Sequence, residues 1–355
     1  DKTNRRPILL SANLPYDALI VVSFGGPNGP DDVMPFLENV TRGRGIPRHR
    51  LEEVAEHYLH FGGKSPINEQ NLALIDALRG ELKNQQLDLP IYFGNRNWEP
   101  YLADTMRQMR DDGVKNALAF FTSAFSCYSG CRQYRENLAE ASEQVGEGAP
   151  NFDKLRMYYN HPGFLEPMAE SLAAQMLALK GQSTAVLFTA HSIPLTMADN
   201  SRYVQQLNEA CRLVAEMAEV SDYELVYQSR SGAPHTPWLE PDIGDRIRQM
   251  AETGVKHFVV LPIGFISDHM EILFDLDTEA LEICQELGVQ LHRLPTVGTH
   301  PTFVRMIVEL IRERSGLQQE RRALGEFGPN HDVCPANCCL HGVAPKKPAL
   351  CQQSG

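Results

Sequence analysis

Residues 257–279 read His257-Phe-Val-Val-Leu-Pro-Ile-Gly-Phe-Ile-Ser-Asp-His-Met-Glu-Ile-Leu-Phe-Asp-Leu-Asp-Thr-Glu279. The first half of this stretch is an apolar run interrupted by Pro262 and Gly264, which is typical of a parallel strand buried on both faces. The second half carries five carboxylates, and no Lys or Arg occurs between His269 and Glu279. The stretch therefore predicts a buried strand that delivers acidic side chains to its own carboxyl end.

The spacing of these acids indicates a function. If the second half is an α-helix, Glu271, Asp275 and Glu279 share one face, where each like-charge pair costs a few tenths of a kcal/mol. A line of carboxylates beside His269 suits a path for divalent cations or protons, because hard cations prefer oxygen ligands and histidine titrates near neutral pH. In the structural alternative, Asp268 caps the helix, Glu271 is spaced as in a capping box, and the remaining acids form a solvated face.

Apolar runs alternate with amphipathic stretches throughout the chain, and the pattern occurs twice. The predicted strands cover residues 18–23, 91–93, 117–122 and 155–159, and then 185–190, 224–227, 257–265 and 290–294. This order predicts an α/β protein with two similar doubly wound, Rossmann-like domains, each with a four-stranded parallel sheet and flanking helices.

The same pattern suggests where the domains begin and end. We expect an N-terminal tail over residues 1–15, a first α/β domain over 16–160 and a second over 161–300 that carries His191 and the acidic segment. Residues 301–314 are predicted to form a helix that packs back on the first domain. Residues 315–355 form a polar extension that contains cysteines.

Composition excludes several classes of protein. The formal net charge of −12 over 355 residues argues against nucleic-acid binding, which needs a positive face. No apolar run approaches the roughly 18 residues of a membrane span, and the apolar part of the first ten residues is too short for a secretory signal, so we expect a cytoplasmic protein. Residues 23–27 contain two glycines but lack both common phosphate-loop patterns, so no nucleotide is expected.

His191 is the second candidate for chemistry. It directly follows the predicted strand 185–190, and Ile193-Pro194 stiffens the turn behind it. Ligands of open α/β sheets bind beyond the carboxyl ends of the strands. A lone histidine is more often structural, but a histidine that faces Glu271 from a neighbouring strand end would form an acid–base pair.

The eight cysteines are numerous for a cytosolic chain, in which cysteine clusters more often bind metal than form disulfides. Cys211 and Cys284 stand alone in helical patterns and are predicted to be core residues. The other six are grouped in sequence: Cys127, Cys131, Cys334, Cys338, Cys339 and Cys351.

Several of these motifs together resemble the ferrochelatases, which insert ferrous iron into a porphyrin. The resemblance covers residues 16 to about 314. It is carried by His191-Ser-Ile-Pro194, Ser267-Asp-His-Met-Glu271 with the acids that follow, Gln228-Ser-Arg with Trp238, and Gly62-Gly-Lys-Ser-Pro-Ile67. Residues 35–44, 92–98 and 128–134 most resemble the actinobacterial branch, which is thought to act on coproporphyrin III rather than protoporphyrin IX.

The resemblance implies roles for the acidic segment and for His191. His191 and Glu271 would be catalytic residues on opposite faces of the macrocycle and would also meet the iron. Asp275 and Glu279 would continue a line of metal-binding acids, whereas Asp268 and His269 would orient the others.

The resemblance also implies a porphyrin site. Phe24, Trp238 and Phe265 are its candidate walls, and Arg44 and Arg96 are candidates for binding propionates, as is Lys64. Some Gram-positive coproporphyrin enzymes have at the position of Phe24 a tyrosine that can touch iron. Phenylalanine cannot ligate, so iron contact would rest on His191, Glu271 or water.

By the same resemblance, Cys131, Cys334, Cys338 and Cys339 would bind a two-iron two-sulfur cluster. Cys127 and Cys351 are alternative ligands, and zinc is the alternative metal.

These implications predict a ferrochelatase of haem biosynthesis whose partners are a porphyrin and ferrous iron. We expect a monomer that does not bind nucleic acid and has at most weak contact with a membrane or a downstream haem enzyme. The alternatives are a cobalt or nickel tetrapyrrole chelatase, and a non-catalytic tetrapyrrole or iron–sulfur sensor.

Overall fold

A computed structural model of the chain describes residues 13–354. The predicted tail over residues 1–15 lies mostly outside the described residues. Below, residues 16–160 are called the first half and residues 161–300 the second half.

Each half contains one four-stranded sheet in which every pair of neighbouring strands is parallel. The strands are Ala18–Ser23 (β1), Ile91–Asn95 (β2), Asn116–Phe121 (β3), Asn151–Lys154 (β4), Thr184–His191 (β5), Glu224–Gln228 (β6), His257–Leu261 (β7) and Gln290–Arg293 (β8). The sheet orders are β2-β1-β3-β4 and β6-β5-β7-β8, so the two halves share one topology. The predicted fold class is confirmed.

Helices connect the strands and lie beside the sheets. The α-helices are Val33–Val40 (α1), Arg48–His60 (α2), Ile67–Asn84 (α3), Leu102–Asp111 (α4), Gln133–Val145 (α5), Pro162–Ala178 (α6), Leu195–Asp199 (α7), Tyr203–Met217 (α8), Ile243–Glu252 (α9), Leu281–Leu287 (α10) and Pro301–Arg314 (α11). Two π-helices precede α5 and α10, at Tyr128–Arg132 and Ile272–Ala280.

The fourth strand differs from its prediction. It covers Asn151–Lys154, and Leu155 still donates to the carbonyl of Ala119 in β3 over 2.9 Å, whereas residues 156–159 continue beyond the sheet. Tyr158 in this run is buried, stacks on Phe120 and donates a hydrogen bond to the carbonyl of Phe121. The run resembles a buried strand because it is apolar, but its burial comes from side-chain packing.

One apolar core joins the two halves. It includes Leu19 and Val21 of β1, Val186 and Phe188 of β5, and Ile307 of α11. Helix α11 lies against both α3 and α6. The carboxyl ends of β5, β6 and β7 are therefore held on a framework that includes the first half.

The extension over residues 315–354 contains no helix or strand, apart from an isolated bridge between Cys334 and Gln352. It contacts the first π-helix, where Arg132 donates to the carbonyl of Ala336, and α8, where Glu209 accepts from the N–H of Glu326. Within residues 13–354, no helix is long and apolar enough to cross a membrane.

Candidate active site

The two predicted catalytic side chains meet at the ends of neighbouring strands. His191 is the last residue of β5, and Glu271 lies in the segment after β7. Their atoms Nε2 and Oε1 are 3.6 Å apart, and the side chains are 35% and 41% exposed. The pair is therefore accessible to a ligand at the carboxyl edge of the sheet.

This distance bears on one detail of the sequence analysis. A flat ring between two side chains would need roughly 7 Å, because carbon atoms in contact are about 3.5–4.0 Å apart on each side. At 3.6 Å, the gap between His191 and Glu271 does not admit a flat macrocycle, whereas the resemblance implies that the two groups lie on opposite faces of one.

The backbone around His191 fixes the direction of its ring. Nδ1 contacts the carbonyl of Ser192, the hydroxyl of Tyr203 donates to the carbonyl of His191 over 2.9 Å, and the N–H of Ser192 donates to the carbonyl of Gln228. In neutral His191 the proton then resides on Nδ1, which leaves Nε2 as the acceptor that faces Glu271.

The acidic segment forms a π-helix rather than the expected α-helix. In this wider helix the N–H groups bond five residues back, and such turns are frequent at functional sites. The hydroxyl of Thr278 follows the same spacing, since it donates to the carbonyl of Leu273 over 2.9 Å. Asp275 and Glu279 still face one cavity, so the line of acids persists in the wider helix.

A single arginine divides the five acids into two groups. Arg293 of β8 donates to Asp268 over 2.9 Å and to both carboxylate oxygens of Asp277 over 2.7 Å. Among the described residues, no Lys or Arg pairs with the other three acids: Glu271, Asp275 and Glu279. The uncompensated acids are those that the sequence predicts to bind metal.

Among the acids of this segment, Asp275 has a strongly raised pKa. Burial raises its pKa to about 7, Glu271 and Glu279 add to the rise, and a hydrogen bond from Ser229 opposes it. Ser229 donates to Oδ2 of Asp275 from a left-handed backbone conformation with φ of 62°, which is uncommon for residues other than glycine. The carboxyl group can thus exchange a proton near neutral pH.

Beyond Asp275 the line of acids reaches a cavity of about 330 Å³. Glu279 and Asp242 line it, and burial raises the pKa of each. Glu282 and Glu286 lie at the same cavity. Asp242 also caps α9 by accepting from the N–H groups of Gly244 and Asp245, so its carboxylate has a structural role as well.

Asp268 and His269 each form hydrogen bonds that fix the start of the acidic segment. Besides Arg293, the hydroxyl of Thr296 donates to the carboxylate of Asp268 over 3.0 Å. His269 accepts from the N–H of Glu271 through Nδ1, and burial lowers its pKa. Asp268 is therefore not a helix cap.

The sequence analysis missed the contacts from the first half. The side-chain amide of Gln70 on α3 bonds both the N–H and the carbonyl of Asp268, over 2.8 and 2.7 Å. His57 of α2 stacks on Phe274 at 3.9 Å between ring centroids. A glutamine or histidine on an amphipathic helix gives no sequence signal for such contacts.

Three of the candidate porphyrin residues lie near one another in the first half. The guanidinium group of Arg96 lies 5.4 Å from the ring centroid of Phe24, and its Nε donates to Asn137 over 2.6 Å. Burial lowers the pKa of Arg96, and the charge of exposed Arg44 adds to this effect. Lys64 pairs with Glu69.

The other two wall candidates lie in the second half. Trp238 bridges to Pro194, three residues after His191, and its buried Nε1 has no hydrogen-bond partner among the described residues 13–354. Phe265 is buried in the core of the second half and packs edge-on against His269. A ligand at His191 would meet Trp238 more directly than Phe265.

Some of the four cysteines proposed as cluster ligands lie close to one another, where the extension packs beside the first π-helix. Cys131, Cys334 and Cys338 lie in one core group, and the sulfurs of Cys338 and Cys339 are 3.5 Å apart. Cys339 has φ of 56°, another left-handed conformation. His331 joins them, since its ring nitrogen and the sulfurs of Cys334 and Cys338 all lie within 4.8 Å of one another.

The two alternative cysteines have other contacts. The sulfur of Cys127 accepts from the N–H of Gly130 and caps the first π-helix, and Cys127 packs in the core that joins the two halves. Cys351 packs against the same apolar cluster as Cys338, and its sulfur lies 3.3 Å from the carbonyl of Phe152. His331 went unnoticed in the sequence because one histidine before a cysteine group has no fixed ligand spacing.

Comparison with known families decides the assignment. The family model described as Ferrochelatase matches residues 16–315. The chain belongs to the ferrochelatase family. As a ferrochelatase it catalyses metal insertion into a porphyrin, and neither the cobalt or nickel chelatase nor the non-catalytic sensor is favoured.

Named relatives extend over nearly the whole ferrochelatase chain. It is 59% identical over 339 residues to "Ferrochelatase" of Rhodopirellula baltica, which covers 95% of this chain and 96% of the relative. It is 50% identical to "Coproporphyrin III ferrochelatase" of Streptomyces coelicolor, over 94% of this chain and 95% of the relative.

Among solved structures, SirB from Bacillus subtilis with Fe3+ is similar to this ferrochelatase with a TM-score of 0.52. The alignment covers 87% of this chain and 99% of SirB at 11% identity, so the similarity concerns the fold alone.

Proposed function

We propose that the enzyme inserts ferrous iron into a porphyrin, with His191 and Glu271 acting from one side of the macrocycle. Insertion removes two pyrrole protons and strips water from a divalent ion. A neutral Nε2 at His191 can accept a proton, and carboxylate oxygens can take the place of water around iron. The observation that carries this proposal is the 3.6 Å approach of the two groups beside acids without basic partners.

In this proposal Asp275 and Glu279 continue the path from Glu271. Ions would enter from the cavity lined by Glu279 and Asp242, or protons would leave through it. A carboxyl group with a pKa of about 7, as at Asp275, can take up and release protons at neutral pH. Asp268 and His269 would position the segment.

The first experiment is an anaerobic insertion assay of the variants His191→Ala and Glu271→Gln. We expect each to lose at least about 10²-fold in kcat, the order contributed by a positioned acid or base. The matched control is His257→Ala, because His257 begins β7 at the opposite edge of the sheet and contacts His292. Retained activity in His191→Ala would refute the role of that residue.

We further propose that coproporphyrin III is preferred over protoporphyrin IX and that the enzyme acts in the cytoplasm, in haem biosynthesis. The name of the Streptomyces relative supports the substrate preference. So does the cationic side of the site, where Arg96 and Arg44 lie near Phe24 and could bind propionates. The test is kcat/KM for each porphyrin in the wild type and in Arg96→Gln. A higher value for protoporphyrin IX in the wild type would contradict the preference.

Finally, we propose that Cys131, Cys334, Cys338 and Cys339 hold a two-iron two-sulfur cluster. Four thiolates are the usual ligands of such a cluster, and the 3.5 Å approach of the Cys338 and Cys339 sulfurs supports the assignment. A bound cluster would supply one-electron redox chemistry or cross-link the extension to the first π-helix. The group with His331 would instead suit zinc, which binds mixed cysteine and histidine sets. Iron, zinc and acid-labile sulfide, measured per chain in anaerobically purified protein, distinguish the two metals.

A further inference from the structure

Two cations are fully buried beside the cysteine group. Lys154, the last residue of β4, donates through Nζ to the carbonyl of His331 over 3.3 Å. Arg135 of α5 donates to the carbonyl of Cys338 over 3.3 Å and to the side-chain oxygen of Gln352 over 3.2 Å. These acceptors are all neutral oxygens. Neither cation forms an ion pair within residues 13–354.

Other buried cations of the chain have a carboxylate partner. Arg132 pairs with Glu136 over 3.0 Å, and Arg156 pairs with Glu313 over 2.7 Å. A buried charge without a counter-charge costs several kcal/mol even after relaxation. The Nε of Arg135 also has no hydrogen-bond partner in the part of the chain that the structure describes. The region around Lys154 and Arg135 is therefore short of negative charge.

The cysteines are the groups that can supply this charge. Lys154 and Arg135 bond the backbone carbonyls of His331 and Cys338, so both charges lie beside the cysteine group. A two-iron two-sulfur cluster with four thiolate ligands is a dianion when oxidised and a trianion when reduced by one electron. Two unpaired cations match the oxidised charge.

We propose that Lys154 and Arg135 are the counter-charges of the metal–sulfur cluster, and that they retain it in the protein and set its reduction potential. This inference rests on the proposed cluster. Net charge and hydrogen bonds to the sulfurs are among the factors that determine cluster potentials. Removal of one cation disfavours the trianion more than the dianion, so the reduction potential falls.

The test compares Lys154→Met with Lys154→Arg in the full-length protein. Iron and sulfide content are measured first, and the cluster is then titrated with dithionite and followed by electron paramagnetic resonance. We expect Lys154→Met to lower the equilibrium constant for reduction about tenfold, which is about 59 mV for one electron. Lys154→Arg should stay near the wild type. Lys346→Met is the control, because Lys346 is exposed and bonds the side-chain oxygen of Asn337.

Each outcome bears on the proposal. Loss of the cluster in Lys154→Met with retention in Lys154→Arg supports it, because charge rather than shape is then required. An unchanged potential in cluster-loaded Lys154→Met, or equal cluster loss in both variants, overturns it. Zinc without sulfide in the wild type also overturns it. That failure is distinct from failure of the proposed catalytic function, which the iron insertion assay measures separately.

Discussion

Asp275 is the residue at which pH should affect both stability and activity. Its pKa rises from 3.8 to about 7 on folding, chiefly through burial. Between these values the folded chain keeps a proton that the unfolded chain has lost, so stability falls as pH rises toward 7. We predict that metal-free Asp275→Asn has a higher Tm than wild type at pH 8, and that the difference vanishes below pH 3.8. Its insertion rate should fall about 10²-fold.

The matched control for this variant is Asp277→Asn in the same π-helix. Asp277 pairs with Arg293 through both oxygens, so this change should lower stability by about 1–2 kcal/mol and leave kcat within a few-fold of wild type. If Asp275→Asn is less stable than wild type at pH 8, as expected for Asp277→Asn, then the hydrogen bonds of Asp275 contribute more to stability than its buried charge costs.

Ser229 gives a second prediction for the same carboxyl group. Its hydrogen bond lowers the pKa of Asp275, so Ser229→Ala should raise that pKa further. The acidic limb of log(kcat/KM) against pH should then move to higher pH. Ser183→Ala, which removes an exposed hydroxyl at the far edge of the sheet, should leave the profile in place. A shift to lower pH in Ser229→Ala would contradict the assigned role.

The sequence identifies these acids but cannot separate their roles. All five lie in one segment without Lys or Arg, and each could belong to a functional line. The separation is made by Arg293, which is 16 positions from Asp277 and 25 from Asp268. Local periodicity contains no information about a partner on the next strand, so residue roles required the tertiary contacts.

Among the elements, the second π-helix decides how the acids are presented. The hydroxyl of Thr278 supports the wide turn by bonding the carbonyl five residues earlier. We predict that Thr278→Val, which keeps the shape and removes the donor, loses about 0.5–1.5 kcal/mol of stability and several-fold in kcat. Thermal unfolding and the insertion assay measure the two effects.

The control for this element is Thr253→Val. Thr253 ends α9 and its exposed hydroxyl bonds the carbonyl of Met250. It should lose no more stability than Thr278→Val and keep full activity. Equal activity in both variants would show that the width of the helix has no bearing on catalysis.

Strands and helices differ in how far the sequence determines them. The central strands were predictable because β1, for example, is buried along its full length and contains only apolar residues before Ser23. The π-helix was not predictable from the sequence. Over so short a segment, hydrogen bonds to the residue five positions back leave the same spacing of apolar residues as the bonds of an α-helix. The prediction of a strand at 155–159 was wrong because burial of side chains does not by itself specify backbone hydrogen bonds to a neighbouring strand.

For the whole molecule, the extension ties the cysteine group to both halves. Gly325 has φ of 79°, and a Cβ there would lie 1.9 Å from Oε1 of Glu209 on α8. We predict that Gly325→Ala displaces the carboxylate of Glu209 from the N–H of Glu326 and loosens the extension, which should lower Tm, accelerate proteolysis after residue 315 and reduce metal content. Gly316→Ala is the matched control, since Gly316 has φ of 75° but open space around it. It should show only the conformational cost of about 1–2 kcal/mol.

If both variants respond alike, the backbone conformation alone accounts for the loss and the contact with Glu209 is unimportant. The sequence could not anticipate this arrangement, because residues 315–354 contain no periodic pattern and their order comes from contacts with distant elements. By contrast, the twofold repeat of strands was visible because each half repeats the same alternation.

The position of the two unpaired cations has a consequence during synthesis. Lys154 and His331 are 177 positions apart, which at about 5–20 residues per second corresponds to roughly 9–35 s of translation. Throughout that interval the nascent first half presents Lys154 and Arg135 to water instead of burying them. An unfinished chain therefore has a hydrated, positively charged face where the finished protein has a closed one, and this edge should resist aggregation until the extension arrives to cover it.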